Sequence, residues 1–219
     1  MSSSNGSRSR LRKLGRAFYG RPAIDVAFDL IGAVIVHHLD GQTLRARIVE
    51  TEAYVGPQDL ASHSSKGRTK RTEVMFGPPG RAYVYFIYGM HEMFNIVASA
   101  EGDAQALLVR AAEPLDGWEA NLSGPGRFAR GMRITRADNA RDLTGDTLYV
   151  TKAPDVQVQI IRSPRVGVDY AEHWKDALLR FSDANSGAVS SPRPVPRSAD
   201  PSPSAGTPGE GNKRKSPGA

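Results

Sequence analysis

The chain has 219 residues, a formal net charge of +6 and no cysteine. That length suits one sizeable domain with tails rather than two full domains, and the missing cysteine excludes disulfides, thiolate nucleophiles and zinc–thiolate sites. The longest apolar run, residues 30–36 around Gly32, is too short to span a bilayer, and the Ser- and Arg-rich start lacks the apolar segment of a secretory signal, so a soluble intracellular protein is expected.

The positive charge is unevenly spread. Residues 1–16 hold five Lys/Arg and no acid, residues 184–219 hold five against two acids, and the body between them is left near −2. Affinity of the body for a polyanion must therefore come from local clusters, not from the overall charge. Residues 1–13 read as a flexible basic arm. From residue 184 the chain turns Ser/Pro/Ala/Gly-rich, with seven of the fifteen prolines, and ends near Lys213-Arg214-Lys215. Such a stretch buries too little apolar surface to offset its ordering entropy, so residues 184–219 are expected to be disordered.

In chain order, residues 22–30 predict a helix. Pro22 sits at a first-turn position, Ile24, Val26, Ala27 and Leu30 form an apolar stripe, and Gly32 can end it. Residues 33–38 read as a short strand, with Asp40-Gly41 as the turn into a second strand over 44–54. Further strands are expected at 81–88, 94–98, 105–112, 146–151 and 156–161, and helices at 117–121, 126–132 and 170–174. Strands dominate at hairpin-like spacing, so the expected class is α+β, one domain over 14–183, with an antiparallel sheet.

Alternation along 44–54 puts Ile48, Glu50, Glu52 and Tyr54 on one face. Carboxylates on a sheet face are ordinarily solvated surface; an adjoining aromatic makes a site worth weighing. In 81–88, Tyr83, Tyr85 and Ile87 share one face and Val84, Phe86 and Tyr88 the other, a pattern that core packing alone also produces. Tyr88, however, precedes Gly89 at a hairpin tip, where an exposed ring is a natural wedge between bases. Tyr54 and Tyr85 can sandwich a planar ligand. Between the strands runs a basic loop with His63, Lys66, Arg68, Lys70 and Arg71, and a second cluster (Arg127, Arg130, Arg133, Arg136) follows Ser123-Gly124-Pro125-Gly126, read as a helix N-terminus attractive to phosphate. His91-Glu92 begins a zinc-helix pattern, but Asn95 stands where its second histidine belongs, so no metal is expected.

Glu50-Thr-Glu-Ala-Tyr54, Gly67-Arg-Thr, Met75-Phe-Gly-Pro-Pro-Gly80, the run from Tyr83 to His91, Asn95, the run from Leu107 to Pro114, Ser123-Gly-Pro125 and Arg165-Val-Gly-Val168 occur together in this order. In them the chain resembles the alkyladenine (3-methyladenine) DNA glycosylase family over residues 14–181. The resemblance implies a single compact domain with a curved, mostly antiparallel, partly barrel-like sheet surrounded by short helices. It implies a monofunctional enzyme that removes alkylated or deaminated purines from double-stranded DNA, without cofactor, as a monomer, in the cytoplasm and nucleoid-associated in a prokaryote. By position, Glu52 would activate water and Arg110 would orient it; Tyr54, His63 and Tyr85 would hold the extruded base; Tyr88 would fill the gap in the duplex; Asn95 would discriminate against the amino group of guanine. Arg68, Lys70, Arg71, Ser123, Gly124 and Arg127 would contact the DNA backbone.

The chain departs from the family pattern at Lys70 and Thr72 in the basic loop, at Glu92 beside the wedge, and at Asp176-Ala177-Leu178. Glu92 and Lys70 motivate a competing reading, a non-catalytic module that recognises damaged DNA. A bifunctional glycosylase/lyase would need a lysine able to form a Schiff base.

Overall fold

The computed structural model describes residues 12–87, 89–152 and 156–194. Among these residues all strand pairings are antiparallel. Strands β1 (Val34–Leu39), β2 (Gln42–Tyr54), β3 (Ala82–Ile87), β4 (His91–Ala98), β5 (Gln105–Pro114) and β6 (Leu148–Thr151) form one curled sheet in the order β3-β4-β5-β2-β1-β6. β7 (Ile160–Ser163) and β8 (Arg180–Asp183) continue it along the far half of β2, beyond the reach of β1. The expected α+β class with a half-barrel sheet is what the chain adopts. Short helices α1 (Arg16–Tyr19), α2 (Ala23–Asp29) and α3 (Pro125–Gly131) pack on it.

The local chemistry explains these elements. Asp40 and Gly41 both take positive φ (50° and 72°), the left-handed pair that a two-residue hairpin between β1 and β2 demands. Pro22 caps α2, whose Ala23, Val26 and Ala27 are buried in the main core with Leu30. That core lies between the helices and the sheet and includes Ile35, Ile48, Phe94, Leu107, Phe128 and Phe181. Gly80, in its proline–glycine turn, takes φ 79°, and a Cβ there would meet the Tyr19 ring at 2.7 Å, so only glycine lets the turn close on α1.

The strand expected at 156–161 starts only at Ile160 and runs to Ser163, and three further expectations need correction. Residues 117–121 are not helical: Asp116 and Gly117 both have positive φ, which turns the chain, and Trp118 anchors it by donating its indole N–H to the Arg45 carbonyl at 2.9 Å. The helix expected at 170–174 is a 3-10 turn at Glu172–Asp176. Residues 184–194, grouped with the tail by composition, pack on the body, with Ser186, Val189 and Ser190 buried. Their few apolar groups are supplemented by hydroxyl and main-chain hydrogen bonds to buried charges, which a composition count does not see. Residues 1–11 and 195–219, carrying the rest of the expected arm and tail, lie outside the described residues.

Candidate active site

The site starts from an irregularity in the sheet. Between β2 and β5 the register runs Ile48 to Ala112, Glu50 to Ala111, then Thr51 to Val109. One extra residue on β2 (Val49) is thus followed at once by one on β5 (Arg110). Such bulges re-aim side chains. Ile48, Val109 and Ala53 belong to the main core and Thr51 donates to the Ala27 carbonyl of α2, whereas Val49 packs with Ala111 and Val189. Ile48 therefore does not share a face with Glu50 and Glu52, as simple alternation had implied. The bulge turns Arg110 towards both carboxylates.

Glu52 is fully buried, and each of its oxygens is held. Oε2 accepts the Tyr54 phenol at 3.0 Å; Oε1 accepts the Val166 main-chain N–H at 2.8 Å and lies 3.2 Å from Arg110 Nη1. Burial would lower the affinity of Arg110 for its proton, but the charges of Glu52 and Glu50 outweigh it and hold the guanidinium above its usual value. Burial first, and the Glu52 charge next, push the Tyr54 phenol well above the ordinary range, so it stays a donor.

Glu52 borders a cavity of about 440 Å³ lined also by Tyr54, His63, Tyr83, Tyr85, Asn95 and Arg110. This volume lies within the range of small-molecule sites, about 300–1,000 Å³. The ring centroid of His63 lies 4.5 Å from that of Tyr85, and Tyr85 lies 5.3 Å from Tyr83. His63 Nδ1 is hydrogen-bonded to the Tyr83 hydroxyl at 2.9 Å. Burial, then the Arg71 charge, lower its pKa to about 4, which makes it a neutral imidazole at neutral pH. The Tyr85 phenol is raised, by burial first and Tyr83 second. Apart from the paired Glu52 and Arg110, these lining groups are neutral and rich in π faces. Asn95 donates from Nδ2 to the carbonyls of Tyr83 (3.1 Å) and Met93 (3.3 Å), which fixes its side chain at the wall.

Around the mouth, Arg71 is exposed and its guanidinium lies 5.0 Å from the Tyr85 ring centroid. Lys70 is exposed, and Arg68 is paired with Glu73 at 2.6 Å on the surface. Of the amides expected to be free at the start of α3, two are engaged: Ser123 N–H donates to Asn121 and Gly124 N–H to the Arg110 carbonyl. Pro125 has no N–H, and Arg127 Nε donates to the Ser123 carbonyl at 2.5 Å. Glu92 pairs with Arg136 at 3.3 Å, and Arg136 also covers the Phe86 ring, so the unusual carboxylate is neutralised locally. Tyr88, on which the wedge expectation falls, lies outside the described residues.

The structure also assigns parts that local sequence patterns do not reveal. Arg165 and Asp59, both fully buried, form a two-pronged ion pair at 2.5 and 2.9 Å. The Arg165 guanidinium lies 4.8 Å from the Tyr54 ring centroid, and the next residue, Val166, supplies the N–H on Glu52. Glu50 is enclosed by Arg110, Arg180 and Ser190. Only the run 165–168, noted for its resemblance, hinted at the first of these.

A model of the methylpurine-DNA glycosylase (MPG) family matches residues 17–187. A protein of Legionella pneumophila (strain Lens) is 49% identical over 172 residues, 78% of this chain and 94% of its own length. One of Anaeromyxobacter dehalogenans (strain 2CP-1 / ATCC BAA-258) is 50% identical over 184 residues, 83% of this chain and 87% of its own. Each is named "Putative 3-methyladenine DNA glycosylase". The chain belongs to the methylpurine-DNA glycosylase family, a family of DNA-repair hydrolases that act on N-glycosyl bonds.

Proposed function

We propose that the protein is a monofunctional glycosylase that extrudes alkylated or deaminated purines (the 3-methyladenine, 7-methylguanine and hypoxanthine class) from duplex DNA and hydrolyses their N-glycosidic bond with a water activated by Glu52. The observation that carries this reading is a fully buried carboxylate, held by two hydrogen bonds and an ion pair, beside an aromatic cavity of nucleobase scale.

A base inside a duplex is out of reach of any such carboxylate, so it must first be flipped out, at a cost of a few kcal/mol. Stacking on Tyr85 and His63 offsets that cost, at about 1–3 kcal/mol per base on an aromatic face. A cationic alkylpurine gains further from the electron-rich rings of Tyr54, Tyr83 and Tyr85. Tyr88 fills the vacated stack. Water then attacks C1′ as the bond to the purine nitrogen breaks. Its proton passes to Glu52, the bonding electrons leave with the base, and Arg110 holds the carboxylate in line. This assistance contributes on the order of 10²–10⁴-fold. Asn95, immobilised by two carbonyls, denies space to a 2-amino group. Arg68, Lys70, Arg71 and Arg127 supply positive charge for the phosphates, and the hydroxyl of Ser123 and main chain of Gly124 border that surface.

The test is base release, followed by mass spectrometry, from duplex oligonucleotides each bearing one defined lesion. Release of free 3-methyladenine or hypoxanthine, with no borohydride-trapped protein–DNA adduct, is the expected result. Tight, salt-sensitive binding to lesion duplex without release would select a binding module instead.

A further inference from the structure

Glu50 is a second fully buried carboxylate, two residues from Glu52, and the hydrolysis described above makes no use of it. Its surroundings are built in detail. Oε1 accepts Arg110 Nε at 3.1 Å, Arg180 Nε at 2.5 Å and the Ser190 hydroxyl at 3.0 Å; Oε2 accepts the Ser190 main-chain N–H at 2.7 Å. Arg110 thus spans the two acids, Nε on Glu50 and Nη1 on Glu52, while its Nη2 donates to Ser190 Oγ at 3.2 Å. Arg180 Nη2 reaches on to the carbonyls of Ser190 and Pro192, at 3.0 and 2.8 Å. Glu50, Glu52, Arg110 and Arg180 form a balanced set of two negative and two positive charges, closed over by residues 186–192.

We infer that Glu50 is a positioning residue: clasped by Arg180 and Ser190, it fixes the guanidinium of Arg110 that lies against Glu52. This rests on the proposed role of Glu52. Without the Glu50 carboxylate, Arg110 Nε and Arg180 Nε lose the buried acceptor they share, two buried guanidiniums are left with one carboxylate between them, and the Nη1 of Arg110 is no longer held in line with Glu52. The other groups facing Glu52 are Tyr54 from β2, Tyr85 from β3 and Arg165 beside Val166.

The experiment compares single-turnover release of hypoxanthine, with lesion-duplex affinity measured in parallel, for wild type, Glu50→Gln, Ser190→Ala and Glu52→Gln. A misplaced Arg110 disturbs the chemical step and not the cavity, so Glu50→Gln releases the base about tenfold or more slowly while its affinity for lesion duplex stays within about threefold of wild type. Ser190→Ala keeps both charges but loosens the clasp, so its rate drops several-fold with affinity retained. Folded Glu50→Gln that releases at the wild-type rate, or whose affinity falls as far as its rate, overturns the inference. Should that variant yield no folded protein, an unchanged rate in Ser190→Ala overturns it. Glu52→Gln separates the two levels: undiminished release by that variant sinks the proposed function itself, whereas loss of release there with a wild-type rate in Glu50→Gln sinks only the role of Glu50.

Discussion

Replacing Arg165 by methionine tests how the site is held together. Arg165 Nη1 donates to Asp59 and to the Ala53 carbonyl, at 2.5 and 2.9 Å; Nη2 donates to the other Asp59 oxygen at 2.9 Å. Asp59 also organises the turn after β2 by accepting the N–H groups of Val55 and Ala61. The substitution strands a fully buried carboxylate, which costs about 3–5 kcal/mol. That is a large part of the 5–15 kcal/mol by which domains are ordinarily stable. At about 2–4 °C per kcal/mol for a domain of this size, the melting temperature falls by about 6–20 °C. Functional loss exceeds stability loss, because Arg165 also backs Tyr54 and precedes Val166, whose N–H holds Glu52. Thermal melts, with single-turnover release at a temperature where the variant is folded, measure both. The double variant Arg165→Met/Asp59→Leu removes the stranded charge and regains most of the lost stability. A single and a double variant equally destabilised would refute the ion-pair argument, and a folded single variant with wild-type release would refute the link to Glu52.

Three further outcomes are expected. Asn95→Ala opens the wall of the cavity, so slow release of unmodified guanine becomes detectable by mass spectrometry while 3-methyladenine release stays within about tenfold of wild type. His63 has a folded-state pKa of about 4 against 6.5 ordinarily, so the unfolded chain binds its proton first as the solution is acidified. Its contribution is therefore intact above pH 6.5 and is lost progressively down to about pH 4, by about 1–3 kcal/mol once its partial exposure is discounted; urea melts at pH 7 and 4.5 should show a smaller acid loss in His63→Gln. Glu92→Ala releases Arg136, 65% exposed, from a carboxylate that is 20% exposed; such a partly screened pair contributes about 0–1 kcal/mol, so the melting temperature moves by no more than a few degrees. The same change tightens DNA binding and steepens its salt dependence by about one unit of slope.

Much of this was legible in the chain because the relevant signals are local. The Asp40-Gly41 turn fixes the β1–β2 hairpin, and alternation alone separates Tyr83, Tyr85 and Ile87 at the cavity from Val84 in the core. The two-residue period fails at the paired bulges, because an extra residue on each strand leaves no trace in an apolar pattern; Ile48 was misplaced for that reason. Arg165 and Asp59 are 106 positions apart, and Ser190 is 140 from Glu50, so no window of sequence joins them. Residues 184–194 were misjudged because their attachment depends on hydroxyls and amides meeting buried charge. Counting apolar residues is blind to that kind of anchoring.

The central claim is that the carboxylate at Glu52 performs the chemistry within a cavity that binds the base. Its most direct test is single-turnover release of hypoxanthine by Glu52→Gln, with lesion-duplex affinity measured in parallel. The account predicts a rate at least about 100-fold below wild type with binding retained. Release at the wild-type rate would contradict it.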